Sequence, residues 1–143
     1  MSTFRTQRDF PHPPAAVFAA LRDGARLARW WGPDGFTNRF EVFEFKVGGR
    51  WVFDMVGPDG TVYPNASTFT HLVENHEVVI EHVCEPHFTL RITLERSPTG
   101  TVVHWAQSFA DAALAEAIRH IVVPANEQNL NRWGAELAQT PRP

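Results

Sequence analysis

Over Thr3–Phe10 the residues Phe4, Thr6 and Arg8 alternate with Arg5, Gln7 and Asp9, and this period of two predicts a short, rather polar first strand. Pro11, His12, Pro13 and Pro14 stop it, and Pro14 suits the first turn of a helix, where its missing N–H costs nothing. From Ala15 to Leu21 the apolar residues Val17, Phe18 and Leu21 fall on one helical face. Asp23-Gly24 interrupts that face, and Ala25 to Trp31 forms a second short helix carrying Leu27, Trp30 and Trp31. Gly32-Pro33 cannot continue it.

From Thr37 to Phe109 the pattern is strand after strand. Turns are expected at Val47-Gly48-Gly49-Arg50, Gly57-Pro58-Asp59-Gly60, Glu74-Asn75-His76-Glu77, Glu85-Pro86 and Ser97-Pro98-Thr99-Gly100. The longer segment Thr61–Val73 is expected to bend at Pro64. Turns at this spacing with no helix between strands describe an antiparallel meander. The last element, Ala112–Gln139, repeats Leu114, Ile118, Ile121, Ala125, Trp133 and Leu137 at helical spacing, with Pro124 expected to kink it or interrupt one turn. At ~1.5 Å per residue that helix is about 40 Å long.

The predicted fold class is therefore α+β: six or seven antiparallel strands, two short helices after the first, and one long closing helix. Such a sheet buries its apolar face by curling around the helix, and a curled sheet gripping a helix leaves a hollow between them.

A length of 143 residues fits a single domain spanning 1–143. A chain of this size buries roughly 70% of its unfolded surface, so it needs no disulfide or metal to fold. The lone cysteine, Cys84, has no internal partner and is expected to be buried and inert. The formal net charge of −3 and the absence of basic runs argue against nucleic acid as a partner. The first residues lack a signal-peptide core and no window approaches the ~20 apolar residues of a membrane span, so a cytoplasmic protein without a membrane partner is expected. The aromatic content, 11 Phe and 5 Trp against one Tyr, either fills a large core or lines a cavity.

Strand alternation sorts side chains to the two faces. The inward sets are Val103, Trp105, Gln107 and Phe109 in the last strand, and Phe88, Leu90, Ile92 and Leu94 in the one before. Val78, Ile80, His82 and Cys84 point inward from a third strand, and Trp51, Phe53 and Met55 from a fourth. His82 and Gln107 thus stand on an otherwise apolar wall, and Asn126, Asn129 and Glu127 of the long helix lie over the same space. A few convergent polar groups on an apolar wall is the ordinary make-up of a ligand site. The alternative is that His82 and Gln107 bond to each other or to the helix and only satisfy a polar core. Trp30-Trp31 reads as a plug at the cavity mouth, with Trp30 taken as the ring that meets a ligand. The candidate ligand-binding set is His82, Gln107, Trp105, Trp51, Phe53, Met55, Phe109, Asn126, Asn129 and Trp30. No catalytic residue, cofactor or metal is assigned: the seven histidines include no zinc-binding spacing.

The segments PHPPAAVFAAL (11–21), RWWGPDGF (29–36) and FKVGGRWVF (45–53) resemble the heat-shock-protein-90 ATPase activator homology family. YPN (63–65), EHVCEPHFTL (81–90), HWAQSF (104–109) and NEQNLNRW (126–133) are similar to a bacterial branch of it. The family lies in the START-like (SRPBCC) superfamily, so the resemblance implies a helix-grip fold with a central cavity. It implies no single activity, because the superfamily hosts lipid carriers, hormone receptors, cyclases, ring-hydroxylase subunits and co-chaperone domains. The chaperone activators carry a second, N-terminal domain for which this chain has no room. The expected function is binding of a small apolar or aromatic molecule. The alternatives are a cyclase- or hydrolase-type enzyme with His82 as base, or a co-chaperone-like interaction domain. A homodimer is left open.

Overall fold

The computed structural model describes residues 2–139. In chain order the elements are β1 (Ser2–Phe10), α1 (Pro14–Arg22), α2 (Gly24–Trp30), β2 (Thr37–Phe43), β3 (Arg50–Val56), β4 (Val62–Val73), β5 (Glu77–His82), β6 (Phe88–Ser97), β7 (Gly100–Phe109) and α3 (Ala112–Gln139). The seven strands form one antiparallel sheet in the order β1-β7-β6-β5-β4-β3-β2. The first strand therefore pairs with the last, and α1 with α2 carries the chain to the opposite edge, from which it meanders back.

Local chemistry explains the boundaries. Pro14 occupies the first turn of α1, and Asp23 ends that helix. The same Asp23 caps α2, its carboxylate accepting from the N–H groups of Ala25 (3.0 Å) and Arg26 (3.3 Å). The link from β2 to β3 is longer than the tight reversal expected. It spans residues 44–49 and is tied to β4 by Gly48 N–H donating to Phe69 O (2.7 Å) and Phe69 N–H donating to Gly49 O (3.0 Å). A side chain at Gly49 would collide with the Glu44 carbonyl oxygen, so the loop needs glycine there.

Neither internal proline interrupts its element. β4 runs unbroken through Pro64, which pairs with Asp54; its register shift falls between Phe69 and His71 instead. α3 is continuous through Pro124, which is exposed on the solvent side, where the lost N–H leaves the His120 carbonyl to water. No helix of the described residues is long and apolar enough to cross a membrane.

The alternation holds along the inner face: Trp51, Phe53, Val78, Ile80, Leu90, Ile92, Val103 and Trp105 are all buried. They share one core with Phe10, Val17, Phe18 and Leu21, and with Leu130, Trp133 and Leu137 of α3. The buried face of α3 comprises Ala115, Asn126, Asn129, Leu130, Trp133, Glu136 and Leu137. Ile121, counted in the apolar repeat, is 59% exposed and stands at the rim of the hollow described next. The second half of α3 packs closely. Gly134 lets the Phe10 ring approach, since a Cβ there would come within 3.0 Å of Phe10 Cε1, and Phe10 meets Trp133 edge-on at 5.6 Å. The first half of α3 stands off from the middle of the sheet.

Candidate functional site

Between that half of α3 and strands β3–β7 lies a cavity of about 220 Å³. The register builds its wall in rows. Trp51, Ser67, His82 and Phe88 are successive neighbours across β3, β4, β5 and β6. Phe69, Ile80, Leu90 and Gln107 form the next row, from β4 to β7. Val78, Ile92 and Trp105 form a third. The cavity is lined by the first row, by Ile80, Leu90, Gln107 and Trp105 of the other two, by Phe53, Met55 and Asn65, by Trp31-Gly32-Pro33 after α2, by Pro86, and by Ile121, Val122, Ala125, Asn126 and Asn129 of α3. The lining contains no Asp, Glu, Lys or Arg.

Eight of the ten candidate residues line this space: His82, Gln107, Trp105, Trp51, Phe53, Met55, Asn126 and Asn129. Two do not. Phe109, at the end of β7, is buried in a separate cluster with Phe4 and Ala115, and its ring backs Phe88 at 5.4 Å instead of reaching the cavity. Trp30 closes the last turn of α2 and points at α3, stacking on Trp133 and donating its indole N–H to Ala20 O (3.0 Å). Trp31 is the ring that enters. It leaves the helix with extended backbone angles and sits 4.9 Å from Trp51 and 5.8 Å from Trp105. Asn65 and Ser67 were not singled out by the sequence, although period-two alternation from buried Phe69 puts both on the inner face.

The loop carrying Trp31 is held by side chains of α3. Asn129 accepts from Gly32 N–H (2.8 Å) and donates to Ala125 O (3.1 Å), which commits most of its amide to the backbone. Gln128 accepts from Asp34 N–H (3.0 Å). The Arg132 guanidinium donates to the carbonyls of Arg29, Trp31, Gly32, Pro33 and Phe36 at 2.8–3.1 Å. Gly32 itself has φ +99°, and a Cβ there would press within 2.8 Å of Met55 Cε. Beside this loop, buried Glu136 accepts from Arg29 (2.8 Å) and Arg26 (3.2 Å), and those hydrogen bonds hold its carboxyl below the ordinary range.

His82 is 5% exposed and stacks face to face on Phe88, with centroids 4.5 Å apart. Its Nδ1 lies 2.7 Å from Pro86 O and its Nε2 lies 2.8 Å from Asn65 Oδ1. Asn65 spends its amide N–H on Tyr63 O (2.9 Å). A neutral imidazole has one N–H and so serves only one of these two oxygens; serving both needs a second proton or a turned Asn65 amide. Burial pushes the ring's pKa below 6.5, opposed by the Pro86 carbonyl, so the neutral form with one imperfect contact is favoured. Gln107 and the long helix are not its nearest polar neighbours; Asn65 and Pro86 are. Glu127 turns away to pair with Arg8 (2.9 Å), and no carboxylate among the described residues hydrogen-bonds the ring.

Cys84 is half-buried, not buried, and its Sγ lies 3.5 Å from His82 Nε2, because it follows the end of β5 where the chain turns back over the ring. Three buried polar atoms of lining residues, Gln107 Oε1, Trp51 Nε1 and Trp105 Nε1, have no hydrogen-bond partner among the described residues and show almost no surface to the cavity. Trp133 Nε1, outside the cavity, is also unpaired. The described residues bring no three His, Cys, Asp or Glu together as a metal set.

A family profile described as "Activator of Hsp90 ATPase homolog 1-like protein" matches residues 11–140. The chain belongs to this family. Membership places it in the START-like (SRPBCC) superfamily and accounts for the sheet curved on a long helix. Solved structures of the same fold include a protein from Nitrosomonas europaea (16% identity, TM-score 0.87, covering 96% of this chain and 94% of that one). A solution structure from Arthrobacter aurescens has 22% identity and TM-score 0.87, covering 98% and 88%. The protein named AHSA1 from Silicibacter pomeroyi has 24% identity and TM-score 0.77, covering 96% and 98%. At these identities the likeness is one of fold. No curated protein matches the chain.

Proposed function

We propose that this member of the Hsp90-ATPase-activator-homolog family binds a small apolar or aromatic molecule inside the cavity. The observation that carries this reading is a 220 Å³ space walled by Trp31, Trp51, Phe53, Phe88 and Trp105, with polar atoms only at a few points. An apolar cavity of roughly 150 Å³ accepts a benzene-sized molecule, so this one suits one or two rings. Filling it is the direct test. Ala125 is half-buried on the α3 side of the cavity, and Ala125→Trp places an indole in that space. The variant should keep a cooperative melt and lose the thermal stabilisation that the parent protein gains from naphthalene. Equal stabilisation of both proteins would move the binding elsewhere.

A second reading, an enzyme of the cyclase or hydrolase type, is favoured by one contact, the Cys84 thiol at His82 Nε2. It ranks lower because a carbonyl and an amide, not a carboxylate, orient the imidazole, and neither stabilises an imidazolium as a triad acid does. An activated thiolate would show as fast alkylation of Cys84 by iodoacetamide that slows at least tenfold in His82→Gln.

A further inference from the structure

The polar side chains around the cavity differ in whether a ligand can reach them, and that difference brings Asn126 forward, on the reading that the cavity is the binding site. Gln107 Oε1 and the indole nitrogens of Trp51 and Trp105 are closed off by their neighbours and offer a ligand nothing. His82 is held between Pro86 O and Asn65, and Asn129 is spent on Gly32 N–H and Ala125 O. Asn126 is 7% exposed, and its side-chain amide has no hydrogen-bond partner among the described residues. Neither end of that amide is among the closed-off atoms.

The helix phase shows where this amide looks. Asn126 belongs to the buried face of α3 and lines the cavity. Val122, one turn before it, and Asn129, one turn after it, line the same space. Pro124, on the opposite side of the helix, meets solvent. A mid-helix asparagine is a weaker helix former than leucine or alanine, and an amide taken from water without a partner costs free energy. Asn129 offsets that cost with its two backbone bonds, whereas Asn126 has no such bond among the described residues.

A ligand edge would supply the missing partners. A primary amide presents an acceptor beside its donors, and its complement is a group with adjacent N–H and C=O. No Asp, Glu, Lys or Arg lines the space, so a charged edge would leave water without a counter-charge. The rest of the wall suits a flat body, with Trp51 stacked on Phe53 at 4.3 Å and His82 on Phe88 at 4.5 Å.

We infer that Asn126 selects the ligand, and that the ligand is a neutral flat lactam of one or two rings. Asn126 Nδ2 donates to the lactam carbonyl, and Asn126 Oδ1 accepts from the lactam N–H.

Naphthalene, isocoumarin and isoquinolin-1-one share size and flat shape, and the last two differ only in a ring oxygen against N–H. Each is titrated calorimetrically into the full chain. In a cavity without a polar reader isocoumarin binds more tightly, because an ester edge costs less to strip of water than an amide edge. The expected order is the reverse, with isoquinolin-1-one at least tenfold tighter than isocoumarin, equivalent to about 1.4 kcal/mol. Asn126→Leu keeps the size and removes both polar atoms. It should abolish that preference, whatever it does to naphthalene, and melt no lower than the parent. Isocoumarin binding as tightly or more tightly in the parent, the result if a buried water alone satisfies Asn126, would overturn the inference. So would a lactam preference that survives in folded Asn126→Leu. If that variant does not fold, Asn126→Ala carries the same comparison, and the order in the parent decides if neither folds. With naphthalene saturating the parent, these failures leave cavity binding standing. If none of the three compounds binds, the cavity reading fails and the inference with it.

Discussion

The indole of Trp30 lies parallel to that of Trp133, with centroids 4.6 Å apart and planes 9° apart. This stack joins α2 to α3, and Phe10 of β1 closes it edge-on. It fixes the tightly packed half of α3; the other half spans the cavity and is held near its start by Ala115, buried with Phe4 and Phe109. Trp133 is fully buried, so Trp133→Ala should cost about 3–5 kcal/mol. Urea denaturation measures it; a loss below ~1 kcal/mol would contradict the packing described.

The Arg132 fork is the second anchor. Four of its five carbonyl acceptors lie on the loop after α2 and the fifth, Arg29, in the last turn of α2, and a lysine ammonium with three rotatable donors cannot span them. Arg132→Lys should therefore lower stability by about 2 kcal/mol, in the range for hydrogen bonds to charged groups. Because the same loop carries Trp31, affinity for an aromatic probe should fall with it. A variant that loses stability but binds naphthalene unchanged would show that the loop does not shape the cavity.

His82 gives the fold a defined acid sensitivity. Its pKa in the folded protein lies below the 6.5 of the free side chain, so between those two values the unfolded chain binds the proton that the native chain refuses. Stability is full above pH 6.5 and declines as the pH falls through that window. Glu136 acts lower, since its carboxyl is held below an ordinary value of 4.5 and its contribution is lost only as the pH falls beneath that. Melts of the parent protein and His82→Gln between pH 7.5 and 5 separate the two, with the flatter profile expected for the variant. Parallel profiles would show that His82 titrates alike in both states.

Most of the architecture was legible because strand alternation and turn residues are local signals. Trp51, Ile80, His82, Leu90, Trp105 and Gln107 each sit on the face that period two assigned. Where the outcome depended on how a chain leaves an element, the sequence fell short. Trp30 and Trp31 are adjacent and chemically identical, and only the extended backbone at residue 31 sends the second indole to the sheet and leaves the first on α3. Phe109 shares a face with Trp105, yet lies far enough along β7 to join the cluster around Phe4. No inward set was drawn for Thr61–Val73, where a bend was expected at Pro64, although the strand continues there and alternation from Phe69 puts Asn65 on the inner face. The nearest partner of His82 was missed for that reason.

The central claim is that the interior cavity, and not a surface patch, receives the ligand, and the five tryptophans report on it directly. Trp31, Trp51 and Trp105 line the cavity, while Trp30 and Trp133 stack on each other outside it. A heteronuclear NMR titration with naphthalene, following the five indole N–H signals, reads each separately. The account requires the signals of Trp31, Trp51 and Trp105 to shift saturably and together, with those of Trp30 and Trp133 nearly still. Shifts led by Trp30 and Trp133, or none in the cavity indoles, would contradict it.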